Sequence, residues 1–142
     1  MERVVFKRKI YSELLEWKKQ SQGSTALLVE GARRVGKSTI VEEFAKNEYA
    51  SYILIDFNKV DRALKQLFDS LIDLDYIFLT LQATYRVSLV PRKSVIIFDE
   101  VQKCPQARQA IKYLVEDGRY DYIETGSLIS INENVKDILT FL

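Results

Sequence analysis

Residues 25–47 constrain the fold of this 142-residue chain more than any other stretch. Thr25-Ala26-Leu27-Leu28-Val29 is a short, almost wholly apolar run, the pattern of a strand buried on both faces of a parallel sheet. It leads into Gly31-Ala32-Arg33-Arg34-Val35-Gly36-Lys37-Ser38, and over residues 38–47 the apolar side chains Ile40, Val41, Phe44 and Ala45 make one helical face. The loop between strand and helix fits the phosphate-binding pattern G-x-x-x-x-G-K-[ST]. Its glycines let backbone N–H groups curl round phosphates, and the helix start adds oriented donors and positive potential. Lys37 brings a charge to the β- and γ-phosphates, and Ser38 offers a magnesium ligand. By chance the pattern arises in on the order of one in two hundred chains of this size at average residue usage. The flanking strand and helix lower that further, so a glycine turn beside a solvated lysine is the weaker reading. The candidate nucleotide-binding set is therefore Gly31, Ala32, Arg33, Arg34, Val35, Gly36, Lys37, Ser38 and Thr39. For Arg33 and Arg34, contact with phosphate or a neighbouring subunit competes evenly with plain solvation.

The remaining elements extend this unit. Over residues 7–20, Ile10, Tyr11, Leu14, Leu15 and Trp17 lie at helical spacing, and Gly23-Ser24 ends the helix. Residues 51–57 and 94–98 read as further strands. Residues 61–89 are helical, interrupted around Asp73-Leu74-Asp75 and closed before Pro91. A helix over residues 105–117 starts at Pro105 and stops at Gly118, and residues 122–125 form a fourth strand. Strands alternating with helices predict a three-layer α/β fold with a mostly parallel sheet. Two prolines and five glycines leave no room for a flexible linker, so one domain over residues 1–142 is expected. It divides into an N-terminal helix at 1–23, a core at 24–127 and a C-terminal segment at 128–142. Ile138-Leu139-Thr140-Phe141-Leu142 is apolar and uncapped, which reads as a chain cut short.

The second constellation is Val95-Ile96-Ile97-Phe98-Asp99-Glu100, which sets two carboxylates at the C-terminal end of a buried strand. Ligands of open α/β sheets bind at that edge. Asp99 is suited to hold magnesium through water, and Glu100 to orient and deprotonate the water that attacks a γ-phosphate. Alone, an Asp-Glu pair after a strand is usually a loop start or helix cap. The phosphate loop upstream reverses that judgement.

Composition removes other chemistries. The chain has no His, so a general base must be a carboxylate, Lys or Tyr, and any metal is hard and oxygen-ligated. Cys104 is the only cysteine, which excludes an intrachain disulfide and reads as a small, partly buried side chain in a cytosolic protein. With 21 Lys and Arg against 20 Asp and Glu the net charge is +1, too little for bulk-charge attachment to nucleic acid or membrane. The basic Lys7-Arg8-Lys9 and Arg92-Lys93 lack the interleaved aromatics of a single-strand binder. No run reaches membrane-spanning length. Asn58-Lys59-Val60-Asp61 matches a guanine-reading motif but precedes Asp99 instead of following it, and reads as a strand-exit turn with a helix cap at Asp61. The apolar stretch 71–81, with Tyr76, Phe78 and Leu79, reads as helix core, any exposed part of it being a partner surface.

The phosphate loop, Phe98-Asp99-Glu100-Val101-Gln102-Lys103-Cys104-Pro105 and Tyr120-Asp121-Tyr122-Ile123-Glu124-Thr125-Gly126-Ser127 together resemble the prokaryotic AAA+-like P-loop ATPase family whose members usually carry a C-terminal domain of unknown function. Even the opening helix with Trp17-Lys18 is similar. The resemblance implies ATP with magnesium, a core sheet of order 5-1-4-3-2, and a γ-phosphate sensor at the end of the fourth strand, a position that either Thr125 or Ser127 matches. Members of that family continue into a fifth strand, a lid and a further domain, so an incomplete core with four strands is expected here. The first strand would then be an open edge, leading to self-association or to cover by the C-terminal segment. The expected function is Mg-dependent ATP binding and hydrolysis. The alternative is a nucleotide-binding switch or interaction module with little turnover, acting through a protein partner.

Overall fold

A computed structural model describes residues 2–31, 36–126 and 137–140. Among the described residues five helices and five strands follow one another as α1 (Glu2–Ser21), β1 (Leu27–Glu30), α2 (Lys37–Glu48), β2 (Ser51–Asp56), α3 (Arg62–Gln66), α4 (Leu74–Tyr85), β3 (Ser94–Asp99), α5 (Pro105–Asp117), β4 (Asp121–Gly126) and β5 (Asp137–Thr140). Short 3-10 turns at Leu67–Asp69 and Val101–Lys103 complete the path.

The strands form one sheet of order β2-β3-β4-β1-β5 in which every pairing is parallel. Read from the other edge this is the 5-1-4-3-2 order that the resemblance implies. β3 is an interior strand, flanked by β2 and β4, and all six of its residues are buried, which is why its sequence is continuously apolar up to the carboxylates. Alternation along the strands sorts the two faces. Leu27, Val29, Val95, Ile97 and Ile123 pack with Ile10, Leu14 and Trp17 of α1 and with Ile40, Val41, Phe44 and Ala45 of α2. Ile53, Ile55, Phe57, Ile96, Phe98 and Tyr122 point the other way, into a core closed by α3, α4 and α5. Three layers result.

One expectation is corrected. The fifth strand, expected to be missing, is present: Leu27, Leu28, Val29 and Glu30 pair with Asp137, Ile138, Leu139 and Thr140. The sequence reading gave these residues no strand because four residues at the end of a chain carry too short a pattern to register. An unsatisfied row of backbone groups on β1 supplies the reason for pairing. The β1 edge is thus covered from within the chain.

The interruption expected near Asp73 is real and has a local cause. Asp61 accepts a hydrogen bond from the Leu64 N–H at 2.9 Å and Asp73 from the Tyr76 N–H at 3.1 Å, so each aspartate caps a new helix. α4 buries Ile77, Phe78 and Leu81 but leaves Tyr76 and Leu79, with Ile72 just before it, exposed. The stretch read as core is therefore core on one face only.

Candidate functional site

The C-terminal ends of β1, β3 and β4 lie side by side, and the start of α2 faces them. Two of these elements are tied at the sheet edge by a backbone hydrogen bond from the Gly31 N–H to the Gly126 carbonyl, 3.2 Å. Gly36 adopts φ 76° and ψ 22° immediately before α2. Left-handed backbone is a glycine conformation, and here it turns the loop into the helix while leaving the first-turn N–H groups without a side-chain cap. No acidic residue occupies that first turn, so its positive end is available to an anion.

Lys37 opens α2 and is 2% exposed. Its ammonium lies 3.2 Å from Glu100 Oε1 and donates to the Gly31 carbonyl at 3.5 Å. Ser38, one residue on, donates its hydroxyl proton to Asp99 Oδ1 at 2.6 Å. Thr125, fully buried at the end of β4, donates to the same oxygen and accepts the Glu100 N–H at 3.0 Å. Thr125 thereby braces both carboxylate residues from the neighbouring strand. Glu100 itself has φ 57° and ψ 49°, a left-handed conformation that costs a non-glycine residue about 1 kcal/mol. The Thr125 hydrogen bond holds it there, and the carboxylate faces Lys37 at the start of α2. Its second oxygen, Oε2, accepts from the Gln102 amide at 2.8 Å.

Of the residues singled out by sequence, the structure brings Gly31, Gly36, Lys37, Ser38, Asp99, Glu100 and Thr125 together, while Thr39 is exposed on α2. Ala32, Arg33, Arg34, Val35 and Ser127 lie outside the described residues. The donor set suits magnesium. That ion favours one or two carboxylates completed by phosphate and water over an all-protein cage, and among the described residues no group of three or more His, Cys, Asp or Glu is placed to hold a metal alone. Asp99 and the Ser38 hydroxyl are the side chains in position to hold it.

Sequence reasoning missed two features. Gln102 was quoted only within the Phe98–Pro105 motif and given no role of its own, although its place two residues after Glu100 was the available signal. Glu124 was quoted only as part of a motif, yet a carboxylate between Ile123 and Thr125 in a buried strand is a conspicuous exception. It is 3% exposed and lies 3.6 Å from the Arg108 guanidinium of α5. Burial raises its pKa from 4.5 to about 7, against the opposing pull of Arg108. Because the folded-state pKa is the higher one, the stability from this group is complete below about pH 4 and is lost as pH rises through about 7. Thermal unfolding between pH 5 and pH 8 should therefore show a loss of up to about 3 kcal/mol from this carboxyl. Glu124→Gln should remove that contribution to the slope, and an unchanged slope would show that the carboxyl titrates normally.

The geometry has counterparts among known proteins. A family model described as an AAA domain matches residues 23–140. No curated protein matches. Among solved structures, the chain resembles C. elegans PCH-2 with a TM-score of 0.54 at 12% identity, over 95% of this chain and 41% of that one. The chain thus spans about two fifths of that protein's length, and the likeness is one of fold. The matched span runs from just after α1 through the phosphate loop and the Asp99-Glu100 edge to the last residue of β5, so the chain belongs to the AAA domain family, whose nucleotide-binding, ATPase-like P-loop core it carries.

Proposed function

We propose that the domain binds Mg·ATP and hydrolyses it to ADP and phosphate. The observation that carries the reading is the meeting of the start of α2 with the end of β3: Ser38 at 2.6 Å from Asp99 and Lys37 at 3.2 Å from Glu100. In this assignment the backbone of residues 31–39 cradles the phosphates, with Lys37 supplying charge. Asp99 and Ser38 hold magnesium, which when bound neutralises developing charge on the phosphates. Glu100 orients and deprotonates the attacking water, and Thr125 or Ser127 stands at the γ-phosphate position. Positioning and electrostatics supply most of phosphoryl-transfer catalysis, and the rigid, buried setting of Asp99, Glu100 and Thr125 suits both.

One observation favours the second reading, a binding module with little turnover: both Glu100 oxygens already have donors, from Lys37 and Gln102. In that case nucleotide exchange, not hydrolysis, would signal to a protein partner or a second copy. A cytosolic setting and a single domain over residues 1–142 accompany either reading. The lone Cys104 is buried, and among the described residues no helix is long and apolar enough to cross a membrane.

Steady-state phosphate release with ATP, with and without magnesium, separates the two. The expected result is magnesium-dependent turnover that Asp99→Asn lowers by about a hundredfold. Tight ATP binding without phosphate release would establish the module.

A further inference from the structure

Glu100 is held at both oxygens, but the two holds differ in what nucleotide does to them. Lys37 contacts Oε1 from the phosphate loop at 3.2 Å, whereas Gln102 contacts Oε2 from the Val101–Lys103 turn at 2.8 Å. A phosphate group in the loop competes directly with Glu100 for the Lys37 ammonium, because both are anions seeking one buried cation. It has no such claim on Gln102, a neutral amide in the turn that follows β3. The orientation of the Gln102 amide follows from chemistry, since an ionised carboxylate only accepts and the NH2 end must face it. The other end, Gln102 Oε1, is buried with no hydrogen-bond partner. Among the described residues, Nε2 is therefore the end of this amide that makes a hydrogen bond.

We propose that Gln102 is the positioning residue for Glu100: when phosphates compete for Lys37, the amide hydrogen bond to Oε2 keeps the carboxylate in place beside the start of α2. The inference rests on reading Glu100 as the group that orients the attacking water. Nucleotide weakens the hold of Lys37 on Glu100, while that of Gln102 stays. Gln102 touches neither phosphate nor water in this scheme and acts only through Glu100.

The test replaces Gln102 by methionine, which keeps the length and removes the amide, with Gln102→Leu alongside in case one variant fails to fold. Turnover of Mg·ATP and calorimetric affinity for ADP are measured on the whole chain. The expected result is a kcat lower by about ten- to a hundredfold, with KM and the ADP Kd within about twofold of the wild type, because nothing that binds nucleotide has changed. An unchanged kcat overturns the inference. So does a fall in kcat matched by an equal loss of affinity, which would make Gln102 a support for the whole loop. Glu100→Gln separates this failure from that of the underlying reading. If it is inactive while Gln102→Met is fully active, only the role of Gln102 falls. If Glu100→Gln turns over normally, or the wild-type chain leaves ATP intact, the assignment of Glu100 fails and Gln102 has nothing to position.

Discussion

Replacing Lys37 by alanine is expected to abolish nucleotide binding and, in the same step, to lower the stability of the nucleotide-free domain. Lys37 and Glu100 are 2% and 7% exposed and face each other at 3.2 Å. Removing one member of a buried ion pair leaves the other charge without its partner, which costs about 3 kcal/mol. For a chain of this length that corresponds to a fall in Tm of roughly 10 °C. Lost binding in Lys37→Ala would then have two causes, a missing phosphate ligand and a loosened site. Adding Glu100→Gln to Lys37→Ala removes the stranded carboxylate, so the double variant should recover most of the lost Tm while still failing to bind ATP. Scanning calorimetry and ADP titration on the three proteins decide the matter. Equal Tm values for the wild type and Lys37→Ala would show that the pair contributes nothing to the fold.

Glu100→Gln should produce the larger catalytic effect and an opposite effect on binding. Loss of the group that orients and deprotonates water lowers turnover by about a hundred- to a thousandfold. Lys37 is released from its anionic partner by the same change, so phosphate no longer has to break an ion pair to reach it. ADP affinity should therefore rise by several fold, about 1 kcal/mol, and ADP should raise the Tm of the variant more than that of the wild type. The Gln102 amide still meets an oxygen acceptor, which keeps the local structure intact. Slower turnover with weaker binding would contradict this account, since it would mean that Glu100 helps hold the nucleotide instead of competing for Lys37.

How much of this site was legible beforehand depended on whether its cause was local. The strand–loop–helix at residues 25–47 was readable because each part has its own period or composition, and a glycine before Lys37 is required by the positive φ observed at Gly36. The caps at Asp61 and Asp73 are contacts over three residues, within reach of any sequence pattern. β5 was not readable, because its four residues become a strand only by completing the open edge of β1. Nor was α4 fully readable. Its apolar residues occupy more of the helix surface than the sheet can cover, so Tyr76 and Leu79 remain outside.

Sequence alone determined the elements other than β5, the alternation that makes a parallel sheet, and the chemical identity of the phosphate loop and the Asp99-Glu100 pair. Tertiary structure decided how those parts address one another. Ser38 meets Asp99 across 61 residues of chain, and Thr125 meets Asp99 across 26. The pairing of Lys37 with Glu100, the brace from Thr125 and the burial of Glu124 beside Arg108 are likewise products of strand order. The physical reason is that local composition fixes backbone conformation through short-range sterics and periodic burial. Which buried polar groups share a hydrogen bond is settled only when the sheet assembles, since each must then find a partner among the few groups placed within about 3 Å of it.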